Sequence, residues 1–169
     1  LLEAWANMSM GNLQKSLDLI NLTLEADSNN SIAWRLRGQV NSLLGYFNEA
    51  VENFKKSKSI DTDPAIRIEL AKAYNRAGRT KDAIGELVMA LKEGQAPLSV
   101  RTMLERLYRQ TGRKSSLEAF YEENIEKFPE NHLWRFQAGK FYLEGKEYDQ
   151  AEKLFEKAWQ LSQKDGGDA

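Results

Sequence analysis

Few residues in this chain could carry covalent or acid–base chemistry. Among its 169 residues there is one histidine, His132, and no cysteine, which removes disulfides, thiolate zinc sites and cysteine nucleophiles. His132 follows Asn131 at the start of an expected helix, a place typical of a surface histidine. A histidine acting as general base needs a second group to orient it. Glu122 with Glu123, and Glu147 with Asp149, resemble carboxylate pairs. Residues one or two apart on a helix point in different directions, however, so these suit solvation and the helix dipole. No phosphate-binding glycine loop, dinucleotide fingerprint, nucleophile elbow or His-x-x-x-His pair occurs. The chain therefore reads as non-enzymatic, with no catalytic residue, no metal site and no cofactor. Asn7-Met8-Ser9, Asn21-Leu22-Thr23 and Asn29-Asn30-Ser31 match the glycosylation sequon, but two lie within expected helices and all three are read as chance.

Charge directs attention to local surfaces. Twenty-four Lys and Arg against 25 Asp and Glu leave a net charge of -1, so no global field gathers nucleic acid or anionic membrane. No apolar run approaches the roughly 18 residues of a membrane span. The expected partner is a protein or peptide, with no nucleic acid and no direct membrane insertion.

The elements that would position a binding surface are set by a repeat. Gly11, Gly45, Gly78, Gly112 and Gly145 follow one another at intervals of 34, 33, 34 and 33 residues. Seven residues before each stand Ala4, Gly38, Ala71, Glu105 and Ala138, and four before each stand Asn7, Asn41, Tyr74, Tyr108 and Phe141. Five after the first four glycines come Ser16, Ala50, Ala83 and Leu117; Ala151 follows the last by six, which implies one extra residue in that turn. Ile20, Phe54, Leu87, Tyr121 and Phe155 come four further on. Offsets of three, four and seven place these residues on single helix faces, so each unit reads as two amphipathic helices joined at a glycine cap. Pro64, Pro97 and Pro129 lie near unit boundaries, where a break is tolerated. No period-2 run suggests a strand. The expected units are 1–29 (partial), 30–62, 63–96, 97–130 and 131–163 of a single solenoid, followed by a flexible tail, 164–169.

This pattern resembles the tetratricopeptide repeat, a 34-residue helix-turn-helix. Trp34, Gly38, Gly45, Phe47, Ala50 and Phe54 match it best, followed by Trp134, Ala138, Phe141, Gly145, Tyr148, Ala151, Phe155 and Ala158. Leu70, Ala71, Tyr74, Gly78, Ala83 and Ala90 carry it in the third unit. The fourth departs at Glu105 and Leu117, bulky at small positions, and is expected to be the least regular. The resemblance implies an all-α fold, an α-α superhelix: a right-handed solenoid of antiparallel helix pairs, about five units long. It also implies that the first helix of each pair lines a concave groove. Positive charge is in excess on the first helices and negative charge on the second, so the implied groove is basic.

Positions ten, six and three before each glycine share the face that the resemblance turns to the groove. They read Leu1, Trp5, Met8; Arg35, Gln39, Ser42; Ile68, Lys72, Asn75; Thr102, Arg106, Arg109; and Arg135, Gly139, Tyr142. Arg35, Gln39, Ser42, Lys72, Asn75, Arg106, Arg109, Arg135 and Tyr142 are the candidate ligand-binding residues. Cations would meet carboxylates and amides would meet peptide backbone. The subclass that grips the C-terminal carboxylate of heat-shock chaperones is not matched, since Arg35 with Gln39, then Glu69, Ser99 and Met103, stand where its carboxylate clamp would be. The leading expectation is a protein-interaction module whose groove binds a peptide segment bearing acidic groups. The alternative is an assembly segment of a larger scaffold, such as the repeat regions of bacterial envelope and polysaccharide-export proteins. RNA recognition ranks third, because no base-reading pair recurs in every unit. Leu1, Leu2 and Trp5 at one end and Leu154, Trp159 and Leu161 at the other look uncapped, so neighbouring repeats or a homodimer are expected to cover them.

Overall fold

The computed structural model describes residues 1–93 and 97–165, and among these there are ten helices and no strand. They are α1 (Leu2–Ser9), α2 (Leu13–Ala26), α3 (Ser31–Leu44), α4 (Phe47–Ile60), α5 (Pro64–Arg76), α6 (Thr80–Lys92), α7 (Leu98–Gln110), α8 (Lys114–Lys127), α9 (His132–Glu144) and α10 (Tyr148–Asp165). The expected all-α class and the helix-turn-helix units are present. α10 runs through Lys164 and Asp165, so the expected flexible tail begins inside a helix; its remainder, 166–169, lies outside the described residues.

The chain divides into two compact units, Leu1–Leu107 and Tyr108–Ala169. In the first, α1 and α2 pack on α3 through Ala4, Ile20, Leu24, Ala33, Leu36 and Val40, all buried. The small residues expected at close approaches are there: Ala50, Ala71 and Ala83 are completely buried. At Ser16 the close approach carries a hydrogen bond, the hydroxyl donating to the Ala4 carbonyl at 2.8 Å. The second unit is aromatic. Phe120 meets Tyr108 and Trp134 edge-on, at 6.0 and 5.7 Å between centroids, and buried Tyr121 leans on Phe141. Such pairs contribute about 0.5–1.5 kcal/mol each beyond their burial. Leu117, bulky where other units carry Ser or Ala, is buried, and so is Leu161, which the sequence placed on an uncapped face.

Helix starts follow local chemistry. Asn30, Asp63 and Asn131 each accept a backbone amide with the side chain, from Ala33, Ala65 and Leu133, which satisfies one of the orphan donors of a first turn. Within the pairs the turn is closed by backbone alone. The amides of Asn12, Tyr46, Arg79, Arg113 and Glu147 donate to the carbonyls of Asn7, Asn41, Tyr74, Tyr108 and Tyr142 at 2.8–3.1 Å, the six-to-one bond of a Schellman cap.

That bond corrects the register of the last pair. Gly11, Gly45, Gly78 and Gly112 have φ between +63° and +82°, whereas Gly145 is right-handed at −77° and Lys146 takes the left-handed position at +61°. The equivalent of Gly45 is Lys146, so the last interval is 34 and no extra residue is present in the turn. The small position becomes Gly139 in place of Ala138. A Cβ built on Gly139 would lie 2.8 Å from the Phe155 ring, as one on Gly38 would lie 2.7 Å from the Phe54 ring.

Candidate functional site

In the first unit the structure gathers expected groove residues from three successive first helices. A cavity of about 490 Å³ is lined by Trp5 and Met8 of α1, Gln39, Ser42 and Leu43 of α3, Phe54 of α4, and Glu69, Lys72, Ala73 and Arg76 of α5. Leu43 and Arg76 were not anticipated. Both lie four residues after an expected groove position, Gln39 or Lys72, and i,i+4 neighbours stack along one helix face, which is the signal that could have found them.

The electrostatics differ from a plain basic groove. Arg35 donates from Nε to Glu69 at 2.6 Å and from Nη1 to Asp63 at 2.8 Å. Gln39 donates to the other Glu69 oxygen at 2.6 Å. Burial opposes the charge of Arg35, but the hydrogen bond and attraction to Glu69, with Asp63 behind, outweigh it and hold the guanidinium above its usual range. Ser42 turns its hydroxyl back to the Gly38 carbonyl, a helix-internal bond. Asn75 is half-buried, and Lys72 and Arg106 are exposed. Neither cation enters an ion pair among the described residues. The cationic character of this wall therefore rests on Lys72 and Arg76, next to Glu69 and the exposed indole of Trp5.

In the second unit Arg109, Arg113, Lys114 and Glu144 line a cavity of about 350 Å³ with Tyr108, Gly112, Leu117 and Phe141. Arg109 donates to Glu144 and, at 3.0 Å, to the Tyr121 hydroxyl. Burial again opposes its charge and these bonds override it, so its pKa is raised. Lys114 pairs with Glu147 at 2.8 Å, which occupies one member of the carboxylate pair seen in the sequence, while Glu122, Glu123 and Asp149 are exposed. Asn7, the first sequon asparagine, is buried and donates its amide to the Glu3 carbonyl.

Arg135 and Tyr142 are displaced from their assigned positions by the register correction. Counted from Lys146, the three groove positions of the last pair are Phe136, Lys140 and Leu143, all exposed, whereas Gly139 is buried and Arg135 and Tyr142 are half-buried. Arg135 donates to the Pro129 carbonyl, and the Tyr142 ring stands edge-on to Phe141. A third cavity, of about 660 Å³, lies on α9 and α10 between His132, Leu133, Phe136, Phe155, Ala158, Trp159 and Ser162. The lone histidine thus sits in an apolar wall. Among the described residues no cluster of three metal-ligating side chains occurs, and no helix is long and apolar enough to cross a membrane.

Two family models described as tetratricopeptide repeat match the chain, one over residues 33–64 and one over 103–166, together more than half its length. The chain belongs to the tetratricopeptide-repeat family. Solved structures of the same fold include MamA, 22% identical with a TM-score of 0.73 over 97% of this chain and 96% of that one. YrrB, described as a tetratricopeptide-repeat protein with an unusual peptide-binding site, is 19% identical with a TM-score of 0.69 over 94% and 82%. PilW, described as a type IV pilus biogenesis factor, is 17% identical with a TM-score of 0.62 over 96% and 76%. No curated protein sequence matches the chain. In this tetratricopeptide-repeat protein the helix-pair packing positions and the Schellman turns recur from unit to unit, while the residues lining the cavities do not.

Proposed function

We propose that this tetratricopeptide-repeat chain is a non-catalytic protein-interaction module that holds a peptide segment of its partner against α1, α3 and α5. The supporting observation is the cavity in which Trp5, Met8, Gln39, Lys72 and Arg76 converge from three successive first helices. Its chemistry favours a peptide with an apolar side chain beside a carboxylate. The apolar group packs on Trp5, Met8 and Leu43; the carboxylate meets Lys72 and Arg76; and Glu69 accepts from a backbone amide or a neighbouring basic residue.

A hydrogen bond to a charged group contributes about 1.5–3 kcal/mol, so losing the Lys72 contact weakens binding by roughly tenfold or more. The test is a peptide array varying one acidic and one apolar position, followed by titration of the best binder against Lys72→Glu, Arg106→Glu and Trp5→Ala. Lys72→Glu and Trp5→Ala should lose affinity while the fold, read by circular dichroism, is kept. Arg106→Glu reports whether the segment extends along α7. Binding unchanged by all three overturns the groove reading.

A further inference from the structure

Two of the turns within helix pairs open their second helix with an arginine, and the two arginines differ in what surrounds them. Arg79 precedes α6 and Arg113 precedes α8 at similar backbone angles, φ −90° and ψ 57° against φ −81° and ψ 71°. Each donates its amide to the carbonyl of a tyrosine, Tyr74 at 2.8 Å and Tyr108 at 3.1 Å, so both side chains leave an equivalent turn. Around Arg79 the chain supplies its own partners. The guanidinium lies 4.6 Å from the centroid of the Tyr74 ring, and Nε donates to Asp82 at 2.8 Å. The equivalent of Asp82 in the next unit is Ser116, which carries no charge. Among the described residues Arg113 enters no ion pair, whereas its neighbours are engaged, Arg109 by Glu144 and Lys114 by Glu147 and Glu118.

Arg113 lines the 350 Å³ cavity together with the rings of Tyr108 and Phe141, both half-buried. We propose that this cavity docks an acidic residue of a partner protein, whose carboxylate takes on Arg113 the place that Asp82 holds on Arg79. An apolar side chain next to that acid packs on Tyr108 and Phe141. The Arg79–Asp82 pair is the chain's own template for this chemistry, a guanidinium beside a phenol ring with a carboxylate as acceptor. Arg113 acts on the Tyr108 phenol as Arg79 acts on Tyr74, opposing the upward pKa shift that burial causes, so each cation faces its ring. The cavity is at the small end of ligand sites, which suits a short extended segment rather than a helix. The site is built from other residues than the α1, α3 and α5 groove and does not rest on that reading.

The test follows the Arg113 Nε–H signal by heteronuclear NMR of the 169-residue chain, assigned with Arg113→Gln. The Arg113 side chain makes no cap bond to α8, so this variant should keep wild-type helicity. The probes are acetyl-Asp-Leu-amide, its neutral counterpart acetyl-Asn-Leu-amide, and inorganic phosphate. The aspartyl peptide should shift the signal saturably and bind about fivefold more tightly than the asparaginyl one, the scale of a partly exposed ion pair. Ser116→Asp restores the missing carboxylate within the chain and should abolish the response. An acid in the first turn of a helix is favourable, so the melting temperature of that variant should not fall. Lys72→Glu should leave the response unchanged, which separates this site from the proposed groove. Phosphate should shift the signal less than the aspartyl peptide, because it leaves Tyr108 and Phe141 uncovered. No shift with the aspartyl peptide, equal affinity for the two peptides, a response that survives Ser116→Asp or is lost in Lys72→Glu, or a phosphate response as strong as the peptide's would each overturn the proposal.

Discussion

Gly38 on α3 lies directly beneath the ring of Phe54 on α4, so close that a Cβ on Gly38 would stand 2.7 Å from Phe54 Cε1. The pair sets how near the two helices approach. Gly38→Ala gains about 1 kcal/mol of helix propensity but overpacks a closed contact, a change that costs about 1–3 kcal/mol. The expected net result is a loss of up to about 2 kcal/mol in urea denaturation. In the background of Phe54→Leu the same substitution should cost nothing or stabilise, because the ring it strikes is gone. Equal losses in both backgrounds would mean that the ring is not what excludes the methyl group.

The turn at Lys146 makes the opposite prediction. A side chain at a φ of +61° strains a position that elsewhere in the chain is glycine, and the left-handed region costs an L-residue about 1–2 kcal/mol. Lys146→Gly should stabilise the chain by about 1 kcal/mol or less, since glycine also widens the unfolded ensemble. Gly45→Lys, the reverse change in the same kind of turn, should destabilise by about 1–2 kcal/mol. Thermal melts of both variants check the pair.

These two turns show what was legible in the sequence. Helix class, helix number and the first four turns follow from glycine spacing and small-residue positions, because left-handed caps and close helix contacts restrict residue type severely. The last turn misled because Gly145 lies next to Lys146: a glycine one residue early satisfied the pattern, and only the backbone shows which of the two is left-handed. Counted from Gly145, the tenth and third positions before the turn are Arg135 and Tyr142; counted from the left-handed Lys146, the tenth, sixth and third are Phe136, Lys140 and Leu143. The groove charges were legible as types but not as pairs. Arg35 and Glu69 stand 34 residues apart, and a spacing equal to the repeat length is read as equivalence between units before it is read as a salt bridge between neighbours.

The Arg35–Glu69 bond also predicts how ligand preference should respond. Glu69 holds Arg35 and Gln39 together and places an anion in a wall whose remaining charges are Lys72 and Arg76. Glu69→Gln keeps the shape, removes the negative charge and leaves Arg35 with Asp63. An acidic peptide should then bind several-fold more tightly and with a steeper salt dependence, as expected for a site with more unneutralised positive charge. A basic peptide should lose affinity. Fluorescence titrations at two ionic strengths separate these outcomes, and identical affinities in both proteins would place the ligand away from Glu69.

Alkaline pH tests burial of the phenols. Burial raises the pKa of Tyr74, Tyr108 and Tyr142 above the ordinary tyrosine value of 10.0, and the nearby cations Arg79, Arg113 and Lys114 only partly oppose it. A group whose folded pKa lies above its unfolded value releases its proton on unfolding, so its contribution is complete below pH 10 and is lost as pH rises through the folded pKa. Stability should therefore be insensitive to these phenols up to about pH 10 and fall above it. Absorbance titration should show part of the tyrosine signal ionising late or together with unfolding. Tyr108→Phe should reduce the alkaline loss without changing stability near neutral pH by more than a few tenths of a kcal/mol, because the ring contact with Phe120 is kept. An alkaline limb unchanged by Tyr108→Phe would show that another group drives it.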